Sequence, residues 1–229
     1  MAIEFRNYTK NGIKLYKSDF NTEWISKYLG REPKTILEFG SYDGGDGAYY
    51  KEMFPNSRVV SIEACIERFK TIELYNNKIG IEIYNYAVCD YDGYIDFYQV
   101  KDPNVMDHSG GYGSSGSINQ RTDVYKQQFS HVKEQEPIQT KCIRLDSFCV
   151  DNKIDSIDFL HVDVEGAEHK VVKGFGELRP LILWMETHLG KAYYGENAYD
   201  VSELDAELLS MGYEIKERLD ADTLYVLKN

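Results

Sequence analysis

Short apolar runs alternate along most of the chain with segments of helical spacing. The runs predict strands, and they cover residues 35–40, 58–63, 81–87, 95–100, 138–144, 156–164 and 181–186. Between several of them lie apolar residues that recur on one helix face, such as Ile66, Phe69 and Ile72. This alternation predicts an α/β fold with a mostly parallel sheet and helices on both faces.

The two ends and one internal stretch depart from the alternation. Residues 24–29 followed by Gly30 predict a helix with a glycine C-cap, so we expect residues 1–34 to be a helical segment. After a helix over 199–211, strands at 213–216 and 224–227 are joined by too short a link for a parallel crossover, which predicts an antiparallel hairpin. Residues 101–135 lack a strong period and are rich in Gly and Ser at 109–117, which predicts an insertion that serves as a lid or a flexible loop. We expect residues 1–229 to form a single domain.

The charge balance narrows the possible partners. The 229 residues include 26 Lys+Arg and 38 Asp+Glu, for a net charge of −12. This excess of acids disfavours nucleic acid and anionic membranes as partners. No apolar run approaches the roughly 18 residues of a membrane helix, and the four cysteines form no CxxC pair. We expect a cytoplasmic protein, and a homo-oligomeric assembly stays open.

A glycine turn follows the first predicted strand of the sheet. The turn has the form Glu38-x-Gly40-x-x-x-Gly44 and differs from the GxGxxG of dinucleotide sites. Asp43 and Asp46 lie close by, and their charges would repel a pyrophosphate but tolerate an ammonium or sulfonium group. The turn therefore favours an amino-acid-bearing nucleoside over a dinucleotide.

The second predicted strand ends in Glu63, 23 positions after Gly40. A carboxylate at this place in nucleoside-binding α/β folds can accept both hydroxyls of a ribose. A glutamate at the start of a helix, favoured by the helix dipole, is the alternative interpretation. The spacing from the glycine turn favours the ribose, and the strand end at 85–87 would then lie beside the base.

Carboxylates also follow two later strands. The string 158–168 is an apolar strand that runs into Asp163, Glu165 and Glu168, and alternation places His161 and Asp163 on one face. Helix capping explains Glu168, but it does not explain Asp163 after so apolar a strand. The next strand ends in Glu186 and His188.

Asp163, Glu186 and His188 therefore suit two roles. They offer the oxygen and imidazole ligands of a divalent cation such as Mg²⁺. They equally suit acid–base catalysis beside a reacting hydroxyl.

These strings together resemble the FkbM family of S-adenosylmethionine-dependent methyltransferases. The resemblance covers roughly residues 35–190 and is carried by ILEFGSYDGG (36–45), VVSIEA (59–64), NYAVCDYDG (85–93), IRLDSF (143–148) and IDFLHVDVEGAEHKVVKGF (157–175). It implies a Rossmann-like class I methyltransferase fold with a seven-stranded sheet that ends in an antiparallel hairpin. It also implies donor-binding residues, which are Glu38, Gly40, Ser41, Gly44, Glu63, Ala64, Ala87, Ser115 and Asp163.

The resemblance further implies O-methylation of a sugar, a glycan or another hydroxyl-bearing small molecule. His161, Asp163 and His188 are the candidate catalytic bases, although the family usually has Lys where this chain has His161. Two other functions stay open, namely an NAD(P)-dependent oxidoreductase or epimerase and a non-catalytic binding protein with a methyltransferase fold.

Overall fold

The computed structural model describes residues 7–10, 13–105, 110–187 and 190–228. Its strands, in chain order, are Asn7–Lys10 (β1), Ile13–Tyr16 (β2), Thr35–Phe39 (β3), Arg58–Ile62 (β4), Ile81–Tyr84 (β5), Ala87–Val88 (β6), Gly93–Phe97 (β7), Val100–Lys101 (β8), Lys133–Glu134 (β9), Ile138–Ile143 (β10), Phe159–Val162 (β11), Ile182–Glu186 (β12), Tyr213–Leu219 (β13) and Asp222–Leu227 (β14). Its α-helices are Glu23–Leu29 (α1), Gly45–Met53 (α2), Ile66–Asn76 (α3), Asp123–Gln128 (α4), Leu145–Asp151 (α5), Glu168–Lys173 (α6), Lys191–Tyr194 (α7) and Val201–Ser210 (α8). Short 3₁₀ turns follow at Asn77–Ile79 and Gly195–Asn197.

The central sheet has seven strands in the order β13-β14-β12-β11-β3-β4-β5. All of them run in one direction except β14, which is antiparallel to β12 and β13. Asp220 and Ala221 connect β13 to β14, and a link of this length permits only an antiparallel neighbour. The predicted parallel sheet and its terminal hairpin are therefore confirmed.

Two of the predicted strands lie outside this sheet. β10 pairs with β7 and β6 in a separate three-stranded sheet. In β7 exposed and less exposed positions alternate, whereas β3 and β11 are buried on both faces. A strand that leaves one face in solvent suits an accessory antiparallel sheet rather than the covered centre of an α/β fold.

The first 34 residues hold more than the predicted helix. α1 ends at Gly30, whose φ of +68° confirms the predicted C-cap. The hairpin of β1 and β2 was not predicted, because strands of four residues are too short to show a period. The N–H of Tyr16 donates to the Asp43 carboxylate over 2.7 Å, so the hairpin packs on the glycine turn.

Apolar side chains cover both faces of the central sheet. Successive residues of β3 enter opposite clusters: Ile36 packs with Ile25 of α1 and Tyr50 of α2, whereas Leu37 packs with Phe148 of α5. This alternation confirms helices on both faces. Within the described ranges, no helix combines the length and the apolarity needed to cross a bilayer.

Candidate functional site

Gly40 brings the carboxyl ends of three central strands together. Its φ is +85°, and its N–H donates to the carbonyl of Ile62, at the end of β4, over 3.0 Å. A Cβ at this position would collide with the carbonyl oxygen of Asp163, just after β11. The turn therefore requires glycine for its left-handed backbone and for the close approach of Asp163.

Glu38 lies beneath this turn. It is 1% exposed, and its carboxylate accepts hydrogen bonds from the hydroxyls of Ser41 (3.1 Å) and Ser61 and from the N–H of Gly47 (3.1 Å). Burial, with the nearby charge of Asp46, raises the pKa of Glu38 to about 8. These hydrogen bonds join the turn to the start of α2, and the donor-binding role of Glu38 stays a prediction.

Gly44 also has a local structural role. It is the N-cap of α2 with φ of +79°, and a Cβ there would come 2.7 Å from the hydroxyl of Tyr75 on α3. The second glycine of the motif thus allows α2 and α3 to pack closely, which the sequence pattern did not distinguish from ligand contact.

Glu63 occupies the end of β4 and lines a first cavity. Its carboxylate accepts the N–H groups of Tyr42 (2.8 Å) and Cys65 (2.7 Å). Burial raises the pKa of Glu63 to about 7. The same cavity brings together other predicted donor residues, namely Gly40, Ala64, Ala87 and Asp163.

A second cavity adjoins the first. Both are lined by Gly40, Ser114 and Asp163, so they meet at the glycine turn. The second cavity is also lined by Ser41, and the insertion over 101–135 forms one of its walls. The insertion residues in this wall are Asp102, Ser114, Ser115, Tyr125, Phe129, His131 and Val132.

Three carboxylates meet in the second cavity. Asp163, Glu165 and Glu186 each offer an oxygen within 4.8 Å of the other two. Burial and then the charge of Glu165 raise the pKa of Asp163 well above its usual range. Burial and then the charge of Asp163 raise the pKa of Glu186 in the same way. A positive charge placed among them would relieve this repulsion. Of the predicted cation ligands, Asp163 and Glu186 therefore lie together, while His188 falls outside the described residues.

A strained turn positions Glu165. Its φ is +57°, unusual for a residue other than glycine, and Gly166 follows with φ of +87°. Buried side chains of the insertion hold this turn: the Ser117 hydroxyl donates to the Glu165 carbonyl (2.8 Å) and the Asn119 amide to the Gly166 carbonyl (2.9 Å). The Tyr194 hydroxyl donates to the Glu165 carboxylate over 2.6 Å.

Sequence reasoning missed these supporting residues. Tyr194 and Asn119 are distant from Glu165 in sequence, and no local spacing predicts the contacts. Tyr16 was also missed, although it lines the second cavity from the unpredicted hairpin. The unusual abundance of tyrosine, 19 residues, is a compositional signal that could have drawn attention to Tyr16 and Tyr194.

His161 lies within β11, where a ring nitrogen comes within 4.8 Å of carboxylate oxygens of Glu38 and Asp46, in a group separate from that of Asp163, Glu165 and Glu186. It is 5% exposed, its Nδ1 is 3.1 Å from the hydroxyl of Tyr50, and burial lowers its pKa. The base role of His161 stays a prediction, and at this position the imidazole contacts Tyr50 of α2. Alternation was extended from His161 to Asp163, but β11 ends at Val162, so the rule no longer governs the direction of Asp163.

The sheet order and the terminal hairpin are those of a Rossmann-like class I methyltransferase fold, and the glycine turn after β3 and the acid after β4 lie at the carboxyl ends of its parallel strands. A family model described as "Methyltransferase FkbM domain" matches residues 38–215. The chain therefore belongs to the FkbM methyltransferase family, which decides against the oxidoreductase alternative.

One curated relative and several solved structures are similar to the chain. The relative, "2-O-methyltransferase NoeI" of Sinorhizobium fredii (strain NBRC 101917 / NGR234), is 26% identical over 157 residues, which span 66% of this chain and 60% of that protein. A fibrillarin pre-rRNA processing protein of Methanococcus jannaschii aligns with a TM-score of 0.47 at 9% identity, covering 99% of this chain and 84% of that one. A SAM-dependent methyltransferase of Aquifex aeolicus aligns with a TM-score of 0.43 at 12% identity, covering 89% and 87%.

Proposed function

We propose that this chain transfers the methyl group of S-adenosylmethionine to a hydroxyl oxygen of a sugar or another hydroxyl-bearing small molecule. The observation that carries the proposal is the cluster of Asp163, Glu165 and Glu186, which lies where the second cavity meets the glycine turn. The curated relative is named as a 2-O-methyltransferase, which supports oxygen as the methylated atom.

The first cavity has the features of a donor site. Each oxygen of the Glu63 carboxylate accepts one backbone N–H and retains a lone pair for a ribose hydroxyl. Ala64 and Ala87 offer small walls beside which a flat base fits. The bound donor supplies an electrophilic methyl group on a positively charged sulfur, and the acids around the turn favour that charge.

Removal of the acceptor proton falls to the carboxylate cluster. A sugar hydroxyl is a weak nucleophile near neutral pH and reacts faster when a base takes its proton. The raised pKa of Asp163 makes its carboxylate a stronger base than a solvated aspartate. As the bond from oxygen to the methyl carbon forms and the bond from sulfur breaks, the Asp163 carboxylate accepts the hydroxyl proton.

Binding of a divalent cation such as Mg²⁺ is a second role that we propose for the same cluster. Asp163, Glu165 and Glu186 provide the oxygen ligands that hard cations prefer, and His188 stays a predicted fourth ligand. A bound cation would neutralise the mutual repulsion of the carboxylates and polarise the acceptor hydroxyl.

The remainder of the second cavity suits a sugar ring. Tyr16, Tyr125 and Phe129 line it, and aromatic faces pack against the apolar side of a ring while a phenol hydroxyl donates hydrogen bonds. The acids of this cavity disfavour a nucleic acid or an anionic membrane at this site, so a small molecule or a glycan is the proposed acceptor.

Calorimetry with S-adenosylhomocysteine and with NAD tests the donor site. Wild type should bind the former and not the latter, and Glu63→Ala should weaken binding at least about tenfold, since a hydrogen bond to a charged group is worth about 1.5–3 kcal/mol. Glu177→Ala, at an exposed loop before β12, is the matched control. If wild type does not bind S-adenosylhomocysteine, or if Glu63→Ala and Glu177→Ala bind it equally well, the assignment of the donor site would be overturned. Donor binding without methyl transfer to any hydroxyl compound would favour the non-catalytic alternative.

A further inference from the structure

A third cavity opens beside the second. Asp102 and His131 line both of them, so the two cavities are adjacent. Lys101 and Lys133 line the third cavity. The acidic site therefore continues into a basic pocket within the insertion.

The two lysines face each other across a two-stranded ribbon. In the antiparallel pairing of β8 with β9, Lys101 lies directly opposite Lys133, which places both side chains on one face. Like charges in this position destabilise a ribbon, and oppositely charged pairs stabilise it. A chain with net charge −12 has many acids but places a second lysine here. An anion bound near both ammonium groups would offset this repulsion.

The structure holds both ammonium groups in place. Lys101 Nζ donates to the carbonyl of Gly110 over 2.6 Å and lies 3.5 Å from the ring centre of Tyr112. Lys133 Nζ donates to the carbonyl of Ser130 over 2.6 Å. Because an ammonium has three N–H donors, each lysine can keep its carbonyl partner and still bind a ligand oxygen.

We propose that the acceptor carries a phosphate group, which binds between Lys101 and Lys133 while the reacting hydroxyl lies at the carboxylate cluster. The proposal rests on the proposed function and names its substrate class. Lysine binds phosphate as a point charge, and two ammonium groups match the two negative charges of a phosphate monoester better than the single charge of a carboxylate. Asp102 is the acid in the lining of this pocket, and its Oδ1 accepts the N–H of Asn104 over 2.8 Å. The phosphate can belong to a sugar monophosphate or to a nucleoside diphosphate sugar.

Calorimetric titration with inorganic phosphate, glucose 1-phosphate and UDP-glucose tests this proposal. The variants are Lys101→Gln and Lys133→Gln, with Lys78→Gln as the matched control, because Lys78 is exposed in the turn before β5 at the opposite edge of the sheet. Thermal unfolding checks that each variant is folded, because each pocket substitution removes a repulsion and also a hydrogen bond to a carbonyl. Binding of S-adenosylhomocysteine is measured in parallel.

We expect wild type and Lys78→Gln to bind at least one phosphate ester and both pocket variants to bind it about tenfold more weakly. Tighter binding of glucose 1-phosphate would identify a sugar monophosphate as the acceptor, and tighter binding of UDP-glucose would identify a nucleoside diphosphate sugar. Equal binding by all variants, binding of inorganic phosphate alone, or no binding by a protein that still binds S-adenosylhomocysteine would overturn the phosphate proposal and leave the methyltransferase function intact. Failure to bind S-adenosylhomocysteine would instead count against the proposed function.

Discussion

The hydroxyl of Tyr194 donates a 2.6 Å hydrogen bond to the carboxylate of Glu165, 29 positions earlier in the chain. The ring of Tyr194 occupies the space where a Cβ of Gly166 would lie. One side chain from the segment after β12 thus supports both the charge and the backbone of the strained turn after β11.

Removal of this hydroxyl should impair turnover more than donor binding. Tyr194→Phe keeps the ring but deletes a hydrogen bond to a charged group, and we expect kcat to fall about tenfold. Burial raises the pKa of Glu165, and the hydrogen bond from Tyr194 opposes that rise, so the acidic limb of the pH–rate profile should move to higher pH in the variant. The matched control is Tyr193→Phe, whose hydroxyl donates to Gln128. Identical profiles for the two variants would exclude a positioning role for Tyr194.

Substitution of Gly166 should destabilise the fold strongly. Gly166→Ala combines φ of +87° with a collision against the Tyr194 ring, and we expect a loss of about 3–5 kcal/mol in the free energy of unfolding. Gly30→Ala isolates the backbone cost, because φ is +68° there and no heavy atom lies within 4 Å of the added Cβ. It should cost only about 1–2 kcal/mol. Urea denaturation measures both, and similar losses would show that the Tyr194 ring moves aside easily.

The stability of the ligand-free protein should fall as pH rises above about 5. Burial raises the pKa of Glu38 to about 8 and those of Glu63 and Asp222 to about 7, whereas these groups titrate near pH 4 in an unfolded chain. The folded state therefore binds more protons than the unfolded state across this window, and its stability declines until the pH passes the folded pKa values.

Glu38→Gln tests the origin of this dependence. The variant should show a shallower loss of melting temperature between pH 5 and 8.5, because one of the titrating groups is gone. Glu177→Gln, exposed at the opposite edge of the sheet, should keep the slope of wild type. A slope unchanged by Glu38→Gln would mean that this carboxyl titrates alike in the folded and unfolded states.

A divalent cation should stabilise the protein if the carboxylate cluster holds one. We expect millimolar Mg²⁺ to raise the melting temperature at pH 8, where the repulsion among Asp163, Glu165 and Glu186 is strongest, and Asp163→Asn to abolish the effect. Asp155→Asn, in the exposed loop before β11, is the control. Activity that survives a chelator, together with no thermal shift, would rule out the cation and leave the carboxylates as acid–base groups.

Much of the fold followed from local pattern. The alternating strands, the helices between them and the short link before β14 predicted the parallel sheet and its antiparallel hairpin. Gly40, Glu63 and Ala87 were predicted to share a site, and the structure places them around one cavity because the carboxyl ends of parallel strands meet at one edge. Where the pattern was short it failed, as for the hairpin of β1 and β2, whose strands have four residues each.

The sequence by itself determined which residues can form buried strands and which turns need glycine, because both depend on neighbours within a few positions. Only the tertiary structure decided which functional groups lie next to those residues. It placed His161 against Tyr50, brought Tyr194 to Glu165, and set Lys101 opposite Lys133. Contacts of this kind join residues far apart in the chain, and their geometry depends on the packing of whole elements rather than on any local spacing.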